Sequence, residues 1–219
     1  MSFLRPDSEF MNAVSACTDY IILNLLCALC CLPVITAGAS VTAKYYVSMK
    51  LVRGEEPAVT SAFFRAFKQN FRQSTIIWMM LLLMMMVIGV DWYLIIKAEE
   101  GVMHPAFSIF LIILTVMTAG ISFSVFPLTG RFHITIREAI KGAAIFTLMK
   151  LPRVVLALVI TVLTYLVGFW YFEWFPAVWL LSTGVMLYYN SRMFVKEFRK
   201  LEGEAEQENQ EMQEKLNKR

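Results

Sequence analysis

The residues of this chain that could carry out chemistry are few and widely separated. There are two histidines, His104 and His133, and four cysteines, of which Cys27 and Cys31 stand one helical turn apart. Two such thiols could share a soft metal ion, but no histidine or carboxylate accompanies them at ligand spacing. No paired carboxylates, Ser-His or Cys-His arrangement or phosphate-binding glycine loop is recognisable. We therefore expect no catalytic residue, metal ion or cofactor, and a protein that is not an enzyme.

Five long stretches without Asp, Glu, Lys or Arg determine where every other residue is placed. They are 20–43, 73–90, 103–130, 154–172 and 174–191. At about 1.5 Å of rise per helical residue, each can cross a hydrocarbon layer about 30 Å thick. Helices are favoured because a backbone in lipid must satisfy its own hydrogen bonds. A hydrophobic fraction of 58% with 17% charged residues also indicates a membrane protein.

The sequence therefore predicts an all-α fold, a polytopic bundle of five transmembrane helices. The predicted spans are approximately 20–41, 73–95, 105–128, 153–172 and 174–191. They form one integral membrane domain, 1–200, which is followed by a charged cytoplasmic tail, 201–219. The lipid bilayer is the surrounding medium of this protein, and nothing in the distribution of basic residues indicates a nucleic-acid partner.

The Lys and Arg residues alternate between the segments outside the spans. Their counts from the N-terminal segment to the tail are one, six, one, five, none and seven. The positive-inside rule therefore places the first and third loops and the tail in the cytoplasm, with the N-terminus outside. This pattern predicts a multi-pass protein of a cell membrane.

The first loop predicts two short helices. Thr42 to Arg53 can form one of them, with Tyr45, Met49 and Val52 on one face. A second, basic amphipathic helix continues into the second span, with phenylalanines on one side. The basic residues on its other side are Arg65, Lys68 and Arg72.

The third loop predicts another amphipathic helix. Its basic stripe contains His133, Arg137 and Lys141, and the opposite apolar face contains Ile136, Ile140, Ala144 and Leu148. Two interpretations of the basic faces stay open. They can lie at anionic lipid headgroups, or they can form a docking surface for a partner protein. The candidate docking residues are Arg65, Lys68, Arg72, Arg137 and Lys141.

Polar residues inside the predicted spans are candidates for intramembrane contacts, because an unpaired polar group in lipid is costly. Asn24 lies within the first span, Asp91 near the outer end of the second, and Asn190 at the inner end of the fifth.

A weak parallel repeat is also visible. Leu32-Pro33 ends the first span and Phe126-Pro127 ends the third, and each is followed by an amphipathic helix and the next span.

Several segments of the sequence resemble the YesL-like family of Gram-positive bacterial membrane proteins. They include DYIILNLL at 19–26, CCLPVITAGAS at 30–40 and SAFFRAFKQNF at 61–71. Members of that family are small integral membrane proteins without a settled biochemical activity, and are often encoded beside carbohydrate ABC importers. The resemblance implies an accessory or regulatory partner of a carbohydrate uptake system of the ABC type, in contact with its permease or ATPase subunits. It also implies the bacterial cytoplasmic membrane.

The alternative is a small membrane transporter or channel. A transporter needs a polar path, and the spans offer only Asn24, scattered Ser and Thr, and Asp91 near one end. A homo-oligomer could assemble a path that one chain lacks, so a transporter acting alone or as a homo-oligomer is the second hypothesis.

Overall fold

The structure is a computed structural model that describes residues 9–97, 105–132, 134–171 and 176–217. Within these ranges it contains helices and no strand, so the predicted all-α class is confirmed. The helices are α1 (Glu9–Cys31), α2 (Ala37–Val52), α3 (Val59–Lys97), α4 (Pro105–Arg131), α5 (Ile136–Met149), α6 (Leu151–Tyr171) and α7 (Pro176–Asn217), with a 3-10 turn (Val34–Thr36) between α1 and α2.

Four helices of the described chain are long and apolar enough to cross a membrane, and the chain is a membrane protein. The candidate spans are Val14–Cys31, Val59–Lys97, Ala106–Arg131 and Leu151–Trp170. The predicted fifth span, 174–191, begins outside the described residues and continues into α7. The count of five spans and the N-out orientation therefore stay predictions.

The first and third predicted spans end differently from expectation. The span 20–41 is not one helix, because α1 ends at Cys31 and the chain turns at Leu32 and Pro33. The Thr36 hydroxyl closes this turn by donating to the carbonyl oxygen of Cys30 at 2.6 Å. By contrast α4 continues through Pro127 to Arg131, although the sequence predicted its end there. The proline removes only one helical hydrogen bond, and the following turn packs closely against α2.

The short helix α2 occupies the centre of the bundle and contacts α1, α3, α4 and α7. The predicted short helix 42–53 is present as part of α2, with Tyr45 and Met49 buried, but its assignment as an amphipathic helix of the surface is wrong. Buried residues surround its whole axis, because small side chains allow close approach on several sides. At Gly38 a Cβ atom would lie 2.6 Å from the Ser74 carbonyl oxygen.

Helix α3 is continuous over 39 residues, which confirms that the basic amphipathic helix runs into the second span. Its first half buries one face, formed by Val59, Ala62, Phe63, Ala66, Asn70, Ser74 and Ile77. On the neighbouring side, the Phe67 ring stacks on Phe63 with centroids 6.2 Å apart and tilts against Phe71 at 5.4 Å. The opposite side of this half carries the basic residues.

Helix α5 is the predicted helix of the third loop, but a different face is buried. Its buried residues are Ala139, Ala143, Phe146 and Thr147, whereas Leu148, from the predicted apolar face, is 60% exposed. The small buried residues let α5 pack closely on α4, where a Cβ at Gly142 would lie 2.9 Å from the Leu128 side chain. The basic stripe is exposed at Arg137 and Lys141, and His133 lies outside the described residues.

Candidate functional site

The five predicted docking residues lie on two helices at the same end of the bundle. Arg65, Lys68 and Arg72 project from the first half of α3, and Arg137 and Lys141 from the first turns of α5. All five side chains are exposed, and none forms an ion pair with an acidic residue in the described part of the chain. The structure therefore leaves several uncompensated positive charges on one surface.

Two of these residues share a cavity, which we call the basic groove. It has a volume of about 640 Å³ and lies between α3 and the start of α5. It is lined by Gln69, Arg72, Gln73 and Ile76 from α3 and by Thr135, Ile136 and Arg137 from the other side. The sequence placed Arg72 and Arg137 in different loops, and the structure brings them to one site.

Two local hydrogen-bonded arrangements fix the walls of the basic groove. The Gln73 side-chain amide donates to the Ile134 carbonyl oxygen at 2.7 Å, which ties α3 to the segment before α5. The Thr135 amide donates to the Glu138 carboxylate at 2.8 Å, and the Glu138 amide donates back to the Thr135 hydroxyl at 3.4 Å. This capping box starts α5 and also lowers the pKa of Glu138 below its ordinary value through the bonds from Thr135.

Arg65 lies beside a different cavity, of about 360 Å³, at the turn between α2 and α3. The charges at this turn compensate each other, because Glu55 accepts from Lys50 at 3.0 Å and from Arg53 at 2.8 Å. The basic side of α3 thus divides into two parts. Arg65 and Lys68 face outward near a neutralised turn, whereas Arg72 faces the basic groove.

The predicted intramembrane polar residues lie in three separate contacts. Asn24 is buried at 7% exposure beside Gly184 of α7, and its amide nitrogen has no hydrogen-bond partner among the described residues. Asn190 donates to the Thr161 hydroxyl at 3.0 Å, which joins α7 to α6. Asp91 is half-buried at the other end of α3 from the basic residues. These residues do not line a common cavity among those described.

Buried hydroxyl pairs hold α2 in place, and the sequence reasoning did not identify them. Thr42 and Ser74 are 2.9 Å apart between α2 and α3, and Ser48 donates to Ser191 of α7 at 2.7 Å. The available signal was the set of small polar residues among Gly and Ala in 37–48, a composition typical of close helix contacts.

Two ion-pair sites join α7 to its neighbours, one to the junction of α5 and α6 and the other to the end of α4. Glu197, 4% exposed, accepts from Lys150 at 3.0 Å and also pairs with Arg153. Arg131 forms two hydrogen bonds to Glu202, at 2.9 and 2.7 Å. Burial opposes ionisation of Glu197, but Lys150, Arg153 and Lys200 outweigh it and hold its pKa below the ordinary value.

These ion pairs also change the interpretation of the tail. Residues 201–217 continue α7 as helix, and Glu202 belongs to a contact of the bundle.

The cysteine pair behaves as packing residues in α1, with the Cys27 and Cys31 sulfurs 3.8 Å apart. The described residues contain no group of three or more His, Cys, Asp and Glu side chains that could hold a metal ion.

Fold and surface together define a helical membrane protein with a buried short helix and an exposed basic surface at one end. Residues 20–92 match the family model described as "Protein of unknown function, DUF624", to which YesL-like proteins are assigned. The match covers about one third of the chain, including all of α2, and supports the resemblance over that segment. Comparisons with curated proteins and with solved structures find no match.

Proposed function

We propose that this chain is a non-enzymatic accessory or regulatory partner of a carbohydrate uptake system of the ABC type in the bacterial cytoplasmic membrane. The observation that supports a partner role is the outward basic side of α3. Arg65 and Lys68 are exposed and have no acidic partner in the described chain. Their helix is held by the buried Phe63 and the rings stacked beside it, so the two charges are presented on a rigid support.

The carbohydrate part of the proposal depends on the resemblance to YesL-like proteins, which are often encoded beside carbohydrate ABC importers. Permease or ATPase subunits of such an importer are the partners we expect. An acidic surface on one of them would complement Arg65 and Lys68 and fix its orientation on α3.

The experiment is affinity purification in mild detergent from the native host grown on a plant polysaccharide, followed by mass spectrometry. We expect permease or ATPase subunits in near-equal amounts with the wild-type chain. The double variant Arg65→Glu, Lys68→Glu should lose them, because both charges of the contact are reversed. The matched control is Lys97→Glu, which reverses an exposed charge at the far end of the same helix. Recovery of the chain without these subunits would contradict the proposal.

A second function is favoured by a specific observation in the interior. The Asn24 amide and the Ser124 and Thr147 hydroxyls are buried and have no hydrogen-bond partner among the described residues. Unpaired polar groups of this kind are typical of sites that bind water or a polar solute. A transporter or channel, alone or as a homo-oligomer, would produce solute flux in liposomes that contain only the purified chain. Absence of flux would contradict this second function and favour the accessory role.

A further inference from the structure

We propose that the basic groove between α3 and α5 binds the headgroup of an anionic phospholipid. Arg72 and Arg137 line the same cavity of about 640 Å³ from two different elements. A guanidinium group presents its donors in a planar fork that matches the oxygens of a phosphate. Gln69 and Thr135 add neutral polar side chains to the same cavity.

The charge of the groove is uncompensated within the described chain. Neither Arg72 nor Arg137 forms an ion pair there, in contrast to Arg53, which is neutralised by Glu55 at 2.8 Å. The acidic residue next to Arg137 in sequence, Glu138, is occupied by the Thr135 amide in the capping box. A bound anion would supply the missing negative charge.

The surroundings favour a phospholipid over a soluble phosphate. Arg72 is the last charged residue before the charge-free stretch 73–90, and one turn later Ile76 lines the same groove. The side of α3 beyond Ile76 continues as exposed apolar surface, with Met79 48% and Met80 52% exposed. A ligand that places phosphate at Arg72 therefore has an apolar surface for its acyl chains along α3.

The walls of the groove are fixed before any ligand binds. The hydrogen bond from Gln73 to the Ile134 carbonyl and the capping box of α5 hold both sides. A preformed site loses less freedom on binding than a mobile surface, so the two arginines can act together. This inference concerns lipid and is independent of the proposed protein partner.

The test is native mass spectrometry of the purified full-length chain in neutral detergent, titrated with phosphatidylglycerol and with phosphatidylcholine. We expect the wild-type chain to retain phosphatidylglycerol more strongly. The double variant Arg72→Gln, Arg137→Gln should weaken that binding roughly thirtyfold. This is the loss expected when two basic residues near an anionic membrane surface are both neutralised. The matched control Arg65→Gln, Lys68→Gln removes the same charge outside the groove and should weaken it only a few-fold.

Three results would overturn the proposal. They are equal binding of the two lipids, an equal loss in the control pair, and binding of glycerol phosphate as tight as that of phosphatidylglycerol. The last would indicate a site for soluble phosphate. Both arginines are exposed, and helix content by circular dichroism will verify that the variants fold. The conservative variant Arg72→Lys should bind with intermediate strength, because it keeps the charge and loses the fork.

Discussion

The two halves of the chain use the same order of elements for different purposes. In the first half α1 and α3 flank the short helix α2, and in the second half α4 and α6 flank the short helix α5. Helix α2 is buried around its whole axis, whereas α5 buries one face and exposes Arg137, Lys141 and Ile145. A span–helix–span order therefore does not determine whether the short helix becomes core or surface.

The contact residues of each short helix explain this difference. Helix α2 begins with small residues that admit neighbours on several sides, and its hydroxyls pair with α3 and α7. Helix α5 buries Ala139, Ala143, Phe146 and Thr147 on one face, whereas its Ile145, Leu148 and Met149 side chains are exposed. Helix α2 thus lies wholly within the core, whereas the start of α5 forms the basic groove together with α3.

The largest expected effect comes from adding a methyl group where α2 crosses α3. In Gly38→Ala the new Cβ would lie 2.6 Å from the Ser74 carbonyl oxygen, and a backbone atom cannot move aside. We expect the free energy of unfolding to fall by about 1–3 kcal/mol, measured by thermal unfolding in detergent. Gly120→Ala, at the α4–α5 contact, would place its Cβ within clash distance of the Thr147 methyl carbon. Because the other face of α5 is exposed, α5 can shift outward, so the loss should be smaller.

Gly89→Ala is the matched control for these variants. It lies inside α3, and in the described part of the chain no atom outside its own helical turns lies within 4 Å of its added Cβ. Alanine favours a helix interior by roughly 0.5–1 kcal/mol over glycine. The variant should leave the unfolding temperature unchanged or raise it. Equal losses in Gly38→Ala and Gly120→Ala would mean that the two short helices are equally constrained, which contradicts the comparison.

A smaller effect is expected at the junction between α5 and α6, where Glu197 of α7 forms its ion pairs. Glu197→Gln keeps the shape but removes the charge facing Lys150 and Arg153, and should cost about 1–2 kcal/mol at pH 7. The folded-state pKa of Glu197 lies below its ordinary value of 4.5. Its contribution is therefore present above that pH and is lost as the pH falls through the folded-state pKa.

The measurement is the difference in unfolding free energy between wild type and Glu197→Gln, followed from pH 7 downward. This difference should shrink as the pH falls through the folded-state pKa, which lies below 4.5. Glu55→Gln is the control, because Glu55 is 43% exposed and its pairs with Lys50 and Arg53 should contribute less. A difference that persists unchanged at low pH would show that Glu197 acts through packing and not through its charge.

The smallest effect is expected at the start of α5. Thr135→Ala removes the hydroxyl that accepts from the Glu138 amide, a loss of about 1 kcal/mol for an N-cap. Because one side of α5 is exposed, this loss should appear as faster hydrogen exchange of the α5 amides, with those of α2 unchanged. Thr135→Ser should exchange as wild type does. Faster exchange in α2 would contradict the separation of the two helices.

The sequence predicted the features that depend on local composition. Charge-free stretches located the candidate spans, and the phenylalanine spacing of 63–71 predicted the continuous α3. The burial of α2 was not predictable from its own pattern, because four other helices create it. Likewise, the contact with α4 determines which face of α5 is buried. The pairing of Glu197 with Arg153 joins residues 44 positions apart, so no local pattern indicates it.

The central position of α2 has a consequence for how the chain is made. Its Ser48 hydroxyl and Tyr45 ring are covered by Ser191 and Phe194, which belong to α7 and are made at least 143 positions later in the chain. Until α7 leaves the ribosome, one side of α2 has no protein covering, so the nascent bundle remains open at its middle. Helix α7 therefore covers this side of α2, and a chain that stops before α7 leaves the Ser48 hydroxyl without its Ser191 partner.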